Sequence, residues 1–250
     1  LDKLREIVEK MESISLKEMD RVSLMNRTDT KFYLHEKYLP HILSSIQDNY
    51  FVLEIETERI MPYESHYYDT PSFTMYHWHH SGKSNRFKIR RRQYLLTGEI
   101  YLEVKFKNNK GKTLKKRELD GKKGDEGQIF VEKNTPFKHE DLQYILSNRF
   151  SRIMFINKHI NERISIDLNL CYHKLQAETI NIPHLAIIEI KSELYAENSE
   201  MQQTLKGLQI YPQSFSKFVT GCHLYYENLK FNRFKGRFLK INKLINQEIL

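Results

Sequence analysis

Cysteine is nearly absent from this chain: two residues in 250, Cys171 and Cys222, with no pairing motif beside either. That excludes a disulfide scaffold and a cysteine-built zinc module, and it suits a reducing compartment. Glycine and proline are scarce too, at 9 and 6 residues, which argues against collagen-like repeats and long linkers. No apolar run approaches the ~20 residues that a membrane-spanning helix needs. The first residues do not read as a secretory leader. The chain opens on Leu1 rather than Met, as a piece of a longer protein would. A cytoplasmic location is the expectation.

Positive charge and aromatic rings are abundant. Lys and Arg number 40 against 32 Asp and Glu, a formal net charge of +8, and 12% of residues are aromatic. The excess of cations points to an anionic partner without naming it. A chain of this length buries roughly 70–75% of its unfolded surface, enough for a substantial core.

Hydrophobic periodicity sets the expected elements. Leu1, Leu4, Val8 and Met11 recur at helical spacing, giving an N-terminal helix over about residues 1–12. Thr30–Leu34 reads as a strand, Pro40–Ile46 as a helix and Thr57–Tyr68 as one or two strands. Thr70-Pro71-Ser72 opens a helix that Ser72 or Asp69 can cap. Strands follow at Asn85–Tyr94, Glu99–Lys107 and Lys112–Leu119, the last two joined by the turn Asn108–Gly111. Glu126–Lys133 and Glu140–Arg149 read as helices, and Ile153–Ile160 with Arg163–Tyr172 as a hairpin. Leu185–Ser192 is a strand; Glu200–Leu208 and Phe215–Leu229 are helices. Strands with interspersed helices give an α+β fold with a mostly antiparallel sheet.

Strand side chains alternate faces. Arg163, Ser165, Asp167 and Asn169 share one face, and Ile164, Ile166, Leu168 and Leu170 the other. The same split puts Lys88, Arg90 and Arg92 together, then Glu103, Lys105 and Lys107, then Glu189 and Lys191. One such strand is an ordinary solvated surface. Four of them, dominated by cations, are less ordinary. If the faces shared a groove, each like-charge pair at 6 Å would cost about 3 kcal/mol at an effective dielectric of ~20. Glu103, Asp167 and Glu189 supply part of the compensating charge. A phosphate chain would supply the rest, because Arg binds phosphate bidentately and Lys as a point charge.

In order, Arg27-Thr-Asp-Thr-Lys31-Phe32, Tyr67-Tyr68-Asp69-Thr70, Lys88-Ile-Arg90-Arg-Arg92-Gln-Tyr94, Leu102-Glu103-Val-Lys105, Lys115-Lys116-Arg117, Arg163-Ile-Ser-Ile-Asp167, Ile188-Glu189-Ile-Lys191 and Phe215-Ser216-Lys217-Phe218 with Gly221 form a set. It resembles the VTC-type polyphosphate polymerase domain of the triphosphate tunnel (CYTH-like) superfamily. No single piece is specific; eight in order are.

The resemblance implies a closed antiparallel β-barrel with a basic lumen, wrapped by helices, over residues 1–229. It implies a polyphosphate polymerase that transfers the γ-phosphate of ATP onto a growing polyphosphate chain, assisted by Mn2+ or Mg2+. Carried over by motif, Lys31, Arg90, Arg92, Lys105 and Arg163 hold triphosphate oxygens, as does the Ser216-Lys217 pair near the mouth. Lys115 or Arg117 lines the path of the chain, Lys191 adds to substrate binding, and Glu189 holds the metal. Lys191 or Lys105 pairing with Glu189 is the plainer alternative. The first strand has one carboxylate, Asp29, where hydrolases of the superfamily carry E-x-E-x-K, which disfavours a triphosphatase. A non-catalytic polyphosphate or nucleotide-phosphate sensor is the alternative function. Nucleic acid is not expected as a partner, since the cations fall on alternating positions expected to face inward. Arg91 should point away from the other cations.

Residues 230–250 form a basic amphipathic tail, with Phe231, Phe234, Phe238, Ile241 and Ile245 at spacings of three and four. Such a helix can lie on the inner face of an anionic membrane or meet a membrane protein. Alternatively its stripe packs on the rest of the chain.

Overall fold

The computed structural model describes residues 2–19, 27–120, 126–193 and 199–247. In chain order these give α1 (Asp2–Lys10), β1 (Ser13–Ser15), α2 (Leu16–Met19), β2 (Arg27–His35) and α3 (Leu39–Ile46). Next come β3 (Tyr50–Glu54), β4 (Met61–Asp69), α4 (Thr74–Ser81), β5 (Arg86–Tyr94), β6 (Ile100–Lys107) and β7 (Thr113–Leu119). Then follow α5 (Glu126–Asn134), β8 (Gln143–Asn157), β9 (Glu162–His173), β10 (Ile180–Ile182) and β11 (Leu185–Glu193). The chain continues with α6 (Glu200–Gly207), α7 (Lys217–Tyr225) and α8 (Asn232–Ile245). Leu1, the first residue of the expected N-terminal stripe, lies outside the described residues, as do 248–250 of the tail.

The chain divides into two compact units. Unit 1 draws on Leu1–Met61, Ser151–Leu170 and Ile182–Phe215; unit 2 draws on Pro62–Phe150, Cys171–Asn181 and Ser216–Leu250.

In unit 1 the strand order is β2-β11-β9-β8, continued by β3 and then β1. Phe32 and Leu34 of β2, Ile188 and Ile190 of β11, Ile164 and Ile166 of β9 and Phe155 of β8 form the apolar face. They pack with Leu4 and Val8 of α1, Ile42 and Ile46 of α3, and Met201 and Leu205 of α6. Period-two alternation therefore places the polar residues of β2, β11 and β9 on the opposite face.

In unit 2 the order is β8-β4-β5-β6-β7. Ile89, Leu102 and Val104 bury one face against Met75 of α4 and Phe130 and Val131 of α5. The other face carries Lys88, Arg90, Arg92, Lys105, Lys115 and Arg117. Among the described residues, β2 pairs only with β11, and β7 only with β6. Each unit's sheet thus has a free edge among the described residues, and the expected closed barrel is corrected to open, mostly antiparallel sheets with helices packed on their apolar faces.

One expected element changes, and one of the two expected caps of α4 is selected. Glu140–Arg149 is not a helix: a short 3-10 turn at His139–Asp141 is followed by β8, a strand of 15 residues. Ser72 does not cap α4. The residue before that helix is Phe73, in the left-handed region at φ 55°, and the orphan amides go to Asp69 instead. The buried Asp69 carboxylate accepts from the backbone N–H of Thr70 at 2.7 Å, Met75 at 2.9 Å and Tyr76 at 2.8 Å. Three such bonds hold the β4–α4 corner in place.

The tail resolves the other way from a membrane anchor. Phe234, Phe238, Ile241 and Ile245 of α8 are all buried. Phe234 meets Tyr76, His79 and His80 of α4, and Phe238 stacks on His223 of α7 at 4.4 Å. The apolar stripe is core of unit 2, so lying on a bilayer would require unpacking it. No helix of the described residues is long and apolar enough to cross a membrane.

Candidate functional site

Each unit places expected site residues on one sheet face, and each face is built around a carboxylate.

In unit 1 the register sets Glu189 of β11 opposite Lys31 of β2 on one side and Ser165 of β9 on the other. One row along, Lys191 lies between Asp29 and Arg163; one row back, Ile187 lies between Tyr33 and Asp167. The Lys31 ammonium is ion-paired with Glu189 Oε1, and Lys191 Nζ is 3.9 Å from Oε2. The Arg163 guanidinium shares this face and donates through Nη2 to the carbonyl of Met19. Arg152 of β8, which the sequence reading missed, makes a two-pronged bond to Asp167: Nε to Oδ1 at 2.6 Å and Nη2 to Oδ2 at 2.8 Å.

In unit 2 the rows are longer. Lys88, Lys105 and Lys115 lie side by side across β5, β6 and β7. The next row is Tyr67, Arg90, Glu103 and Arg117, and the one after is Ser65, Arg92, Tyr101 and Leu119. Glu103 is fully buried. Its Oε2 accepts from Arg90 Nε at 2.8 Å and Nη2 at 2.6 Å, and Lys115 Nζ meets its Oε1 at 2.5 Å. Burial pushes the Glu103 carboxyl up, but Arg90, Arg92 and Lys115 outweigh it and hold it well below the usual carboxylate range. Burial pushes the Lys115 ammonium down to about 8, against the opposing pull of Glu103.

Arg92 bonds Ser65 Oγ at 3.3 Å, and its guanidinium lies 5.7 Å from the ring centre of Tyr63 and 5.8 Å from that of Phe150. Lys217 Nζ lies 4.4 Å over Phe150. Ser216 caps α7, its Oγ accepting from Val219 N–H at 3.4 Å and from Lys88 Nζ at 3.1 Å. Lys88 lies on this face, as alternation placed it with Arg90 and Arg92, although it was not among the expected site residues. Arg117 stacks on Tyr101 at 4.8 Å, so Lys115 and Arg117 both belong to the face and neither displaces the other. Arg91 alternates outward, as expected, and pairs with Asp120. Gly221 on α7 sits so close to Leu146 and Tyr172 that an added Cβ would lie 2.7 Å and 2.8 Å from them. Glycine there is what allows α7 to approach β8 and β9 this closely.

The donor set bears on the metal. No three His, Cys, Asp or Glu side chains converge among the described residues. Glu189 offers one carboxylate with two lysines beside it. Mg2+ usually takes one or two carboxylates and completes its shell with water and phosphate oxygens. Glu189 fits a divalent ion only in that sense, as one ligand to a cation held chiefly by substrate.

The VTC domain profile matches residues 26–226. No curated protein is detectably similar in sequence. Among solved structures, a candidate adenylate cyclase from Bacillus halodurans is similar over 81% of this chain and all of its own, with TM-score 0.50 and 14% identity. A candidate adenylyl cyclase from Hippeastrum, reported with a dominant triphosphatase activity, covers 80% of this chain and 96% of its own (TM-score 0.48, 14% identity). A candidate adenylate cyclase from Vibrio parahaemolyticus covers 78% and 97% (TM-score 0.46, 13% identity). At these identities the likeness is one of fold. With the family profile spanning residues 26–226, most of the sequence, the chain belongs to the VTC domain family.

Proposed function

We propose that this protein is a polyphosphate polymerase, transferring the γ-phosphate of ATP to the end of an inorganic polyphosphate chain with a divalent metal. One observation carries the reading: Arg90, Arg92 and Lys115 surround a single buried carboxylate, with Lys88, Lys105 and Arg117 on the same face. That face has more positive than negative charge, arranged in rows, as a linear polyanion would require.

Phosphoryl transfer needs positioning and neutralisation of charge on the transferred group, with little covalent work by the protein. The acceptor is a phosphate oxygen already ionised at neutral pH, so no strong general base is needed. In this reading Arg92, Lys105, Lys115, Lys217 and Ser216 of unit 2 bind phosphate oxygens. Arg90 contributes charge while its Nε–Nη2 edge stays on Glu103. Lys31, Arg163 and Lys191 of unit 1 carry over by motif as further phosphate ligands. Glu189 would hold Mn2+ or Mg2+, which supplies charge neutralisation when bound.

The test is to incubate the chain with ATP, Mn2+ and a pyrophosphate primer and stain the products for polyphosphate on a gel. A metal-dependent ladder, lost in Glu189→Ala, is the expected result. Orthophosphate without a ladder would make the protein a triphosphatase. Binding without turnover would leave the sensor, a reading favoured by the two lysines that engage Glu189.

Lys115 adds a pH signature. Its ammonium loses its proton near pH 8, well below an ordinary lysine. Affinity for inorganic tripolyphosphate should therefore fall as pH rises from 7 to 9. Lys115→Arg, which stays charged, should flatten that profile. A titration series with the same slope in both proteins would remove Lys115 from the phosphate contacts.

A further inference from the structure

The polar face of unit 2 changes character from one end to the other. At one end Arg86 lies opposite Lys107, and the adjoining row is Lys88, Lys105 and Lys115. At the other end Tyr94 lies opposite Tyr63, next to the row holding Arg92 and Tyr101. The rings at this end form one cluster. Tyr63 stacks on Phe150 at 5.4 Å, Tyr94 tilts against Tyr63 at 5.0 Å, and Tyr101 meets Tyr94 edge-on at 5.6 Å. Tyr63 and Phe150 are buried, while Tyr94 and Tyr101 are half-buried and reach solvent.

A strand rises ~3.4 Å per residue, so Tyr101 and Lys105 stand about 14 Å apart along the face, within the reach of a nucleotide carrying three phosphates. An inorganic chain is charged along its whole length and gains nothing from an aromatic end. A nucleoside triphosphate has the same polarity as the face: a flat neutral base at one end and charge at the other.

We infer that Tyr94 and Tyr101 form the nucleobase platform of the donor site, directing the phosphates of ATP toward Lys88, Lys105 and Lys115. This rests on the phosphate-binding reading above and adds to it the orientation of the donor and a reason to prefer ATP over inorganic tripolyphosphate. Arg117, whose guanidinium lies 4.8 Å over the Tyr101 ring, presents a flat cation against which a purine can lie.

The test is calorimetric titration of the wild type, Tyr94→Leu, Tyr101→Leu and Tyr101→Phe with ATP and, separately, inorganic tripolyphosphate. Thermal melts check the fold of each. Each leucine variant should weaken ATP about tenfold and tripolyphosphate by no more than about twofold. Tyr101→Phe, which keeps the ring, should bind ATP as the wild type does. Equal weakening of both ligands, or no change in either with the fold intact, would overturn the platform and leave the phosphate site standing. A wild type that binds no tripolyphosphate would overturn the phosphate reading, and the platform with it.

Discussion

Arg92→Ala should weaken binding of inorganic tripolyphosphate about a hundredfold, because each charge-assisted hydrogen bond to an ionised group contributes about 1.5–3 kcal/mol. The contrast with its neighbour Arg90 gives the experiment its force. Arg90 spends its Nε–Nη2 edge on Glu103, so its removal mixes lost binding with a stranded buried carboxylate. Arg92 instead rests over two rings and bonds a serine hydroxyl. Arg92 also helps hold the buried Glu103 charge, so its loss should lower the melting temperature too, though less than loss of Arg90. Arg92→Lys should recover only part of the affinity, since an ammonium cannot reproduce the bidentate fork. Unchanged affinity in Arg92→Ala would place the phosphate site elsewhere.

Glu103→Gln should destabilise the fold by about 3–5 kcal/mol, the usual cost of removing one partner from a buried ion pair. At about 2–4 °C per kcal/mol for a chain of this size, the melting temperature should drop about 10 °C. Glu103 titrates below the ordinary carboxylate range in the folded chain, so its contribution is present at neutral pH and lost as pH falls through its folded value. The wild type should therefore lose stability on acidification with a limb that the variant lacks. Added tripolyphosphate should raise the melting temperature of the variant more than that of the wild type, because the phosphate supplies the negative charge that Glu103 no longer does. A variant as stable as the wild type would show that Arg90 and Lys115 do not depend on this carboxylate.

Much of the face was readable because alternation is strict in β6 and holds through Phe87–Arg90 of β5 and Arg163–Leu168 of β9. Lys88-Ile89-Arg90 and Ile164-Ser165-Ile166 each assign both faces by themselves. The reading of Glu103, Asp167 and Glu189 as internal counter-charges is matched by their partners Arg90, Arg152 and Lys31. It faltered where a strand is buried on both sides. Ile145, Leu146, Ser147 and Asn148 of β8 are consecutively buried, so no period of two survives there. Leu142, Ile145, Leu146 and Arg149 instead fall at helical spacing, which a strand buried on both sides can imitate. Reading only the second half of β8 as a strand, from Ile153 on, also hid Arg152, which gains meaning only once Asp167 is seen across from it. Tyr50–Glu54 escaped because five residues without alternation carry little local signal. Whether a sheet closes is decided by which edges meet, and no local pattern encodes that. The capping of α4 was open between Ser72 and Asp69. Two intervening residues and a left-handed Phe73 decide it, and φ at Phe73 is not written in its side chain.

Gly221 has a consequence for how loss of function would be recognised in this chain. It bears no functional group, and it lies more than a helical turn from the Ser216-Lys217 pair at the head of α7. Yet the gap between the backbone of α7 and the side chains of Leu146 and Tyr172 has room for a hydrogen and not for a methyl. A single added carbon there must displace the buried Leu146 and Tyr172 side chains or α7 itself, and a shift of α7 would carry a hydroxyl and an ammonium away from where a phosphate would meet them. Variation at a chemically silent residue could thus mimic the loss of a charged one, with the cations still present in the sequence and merely out of reach.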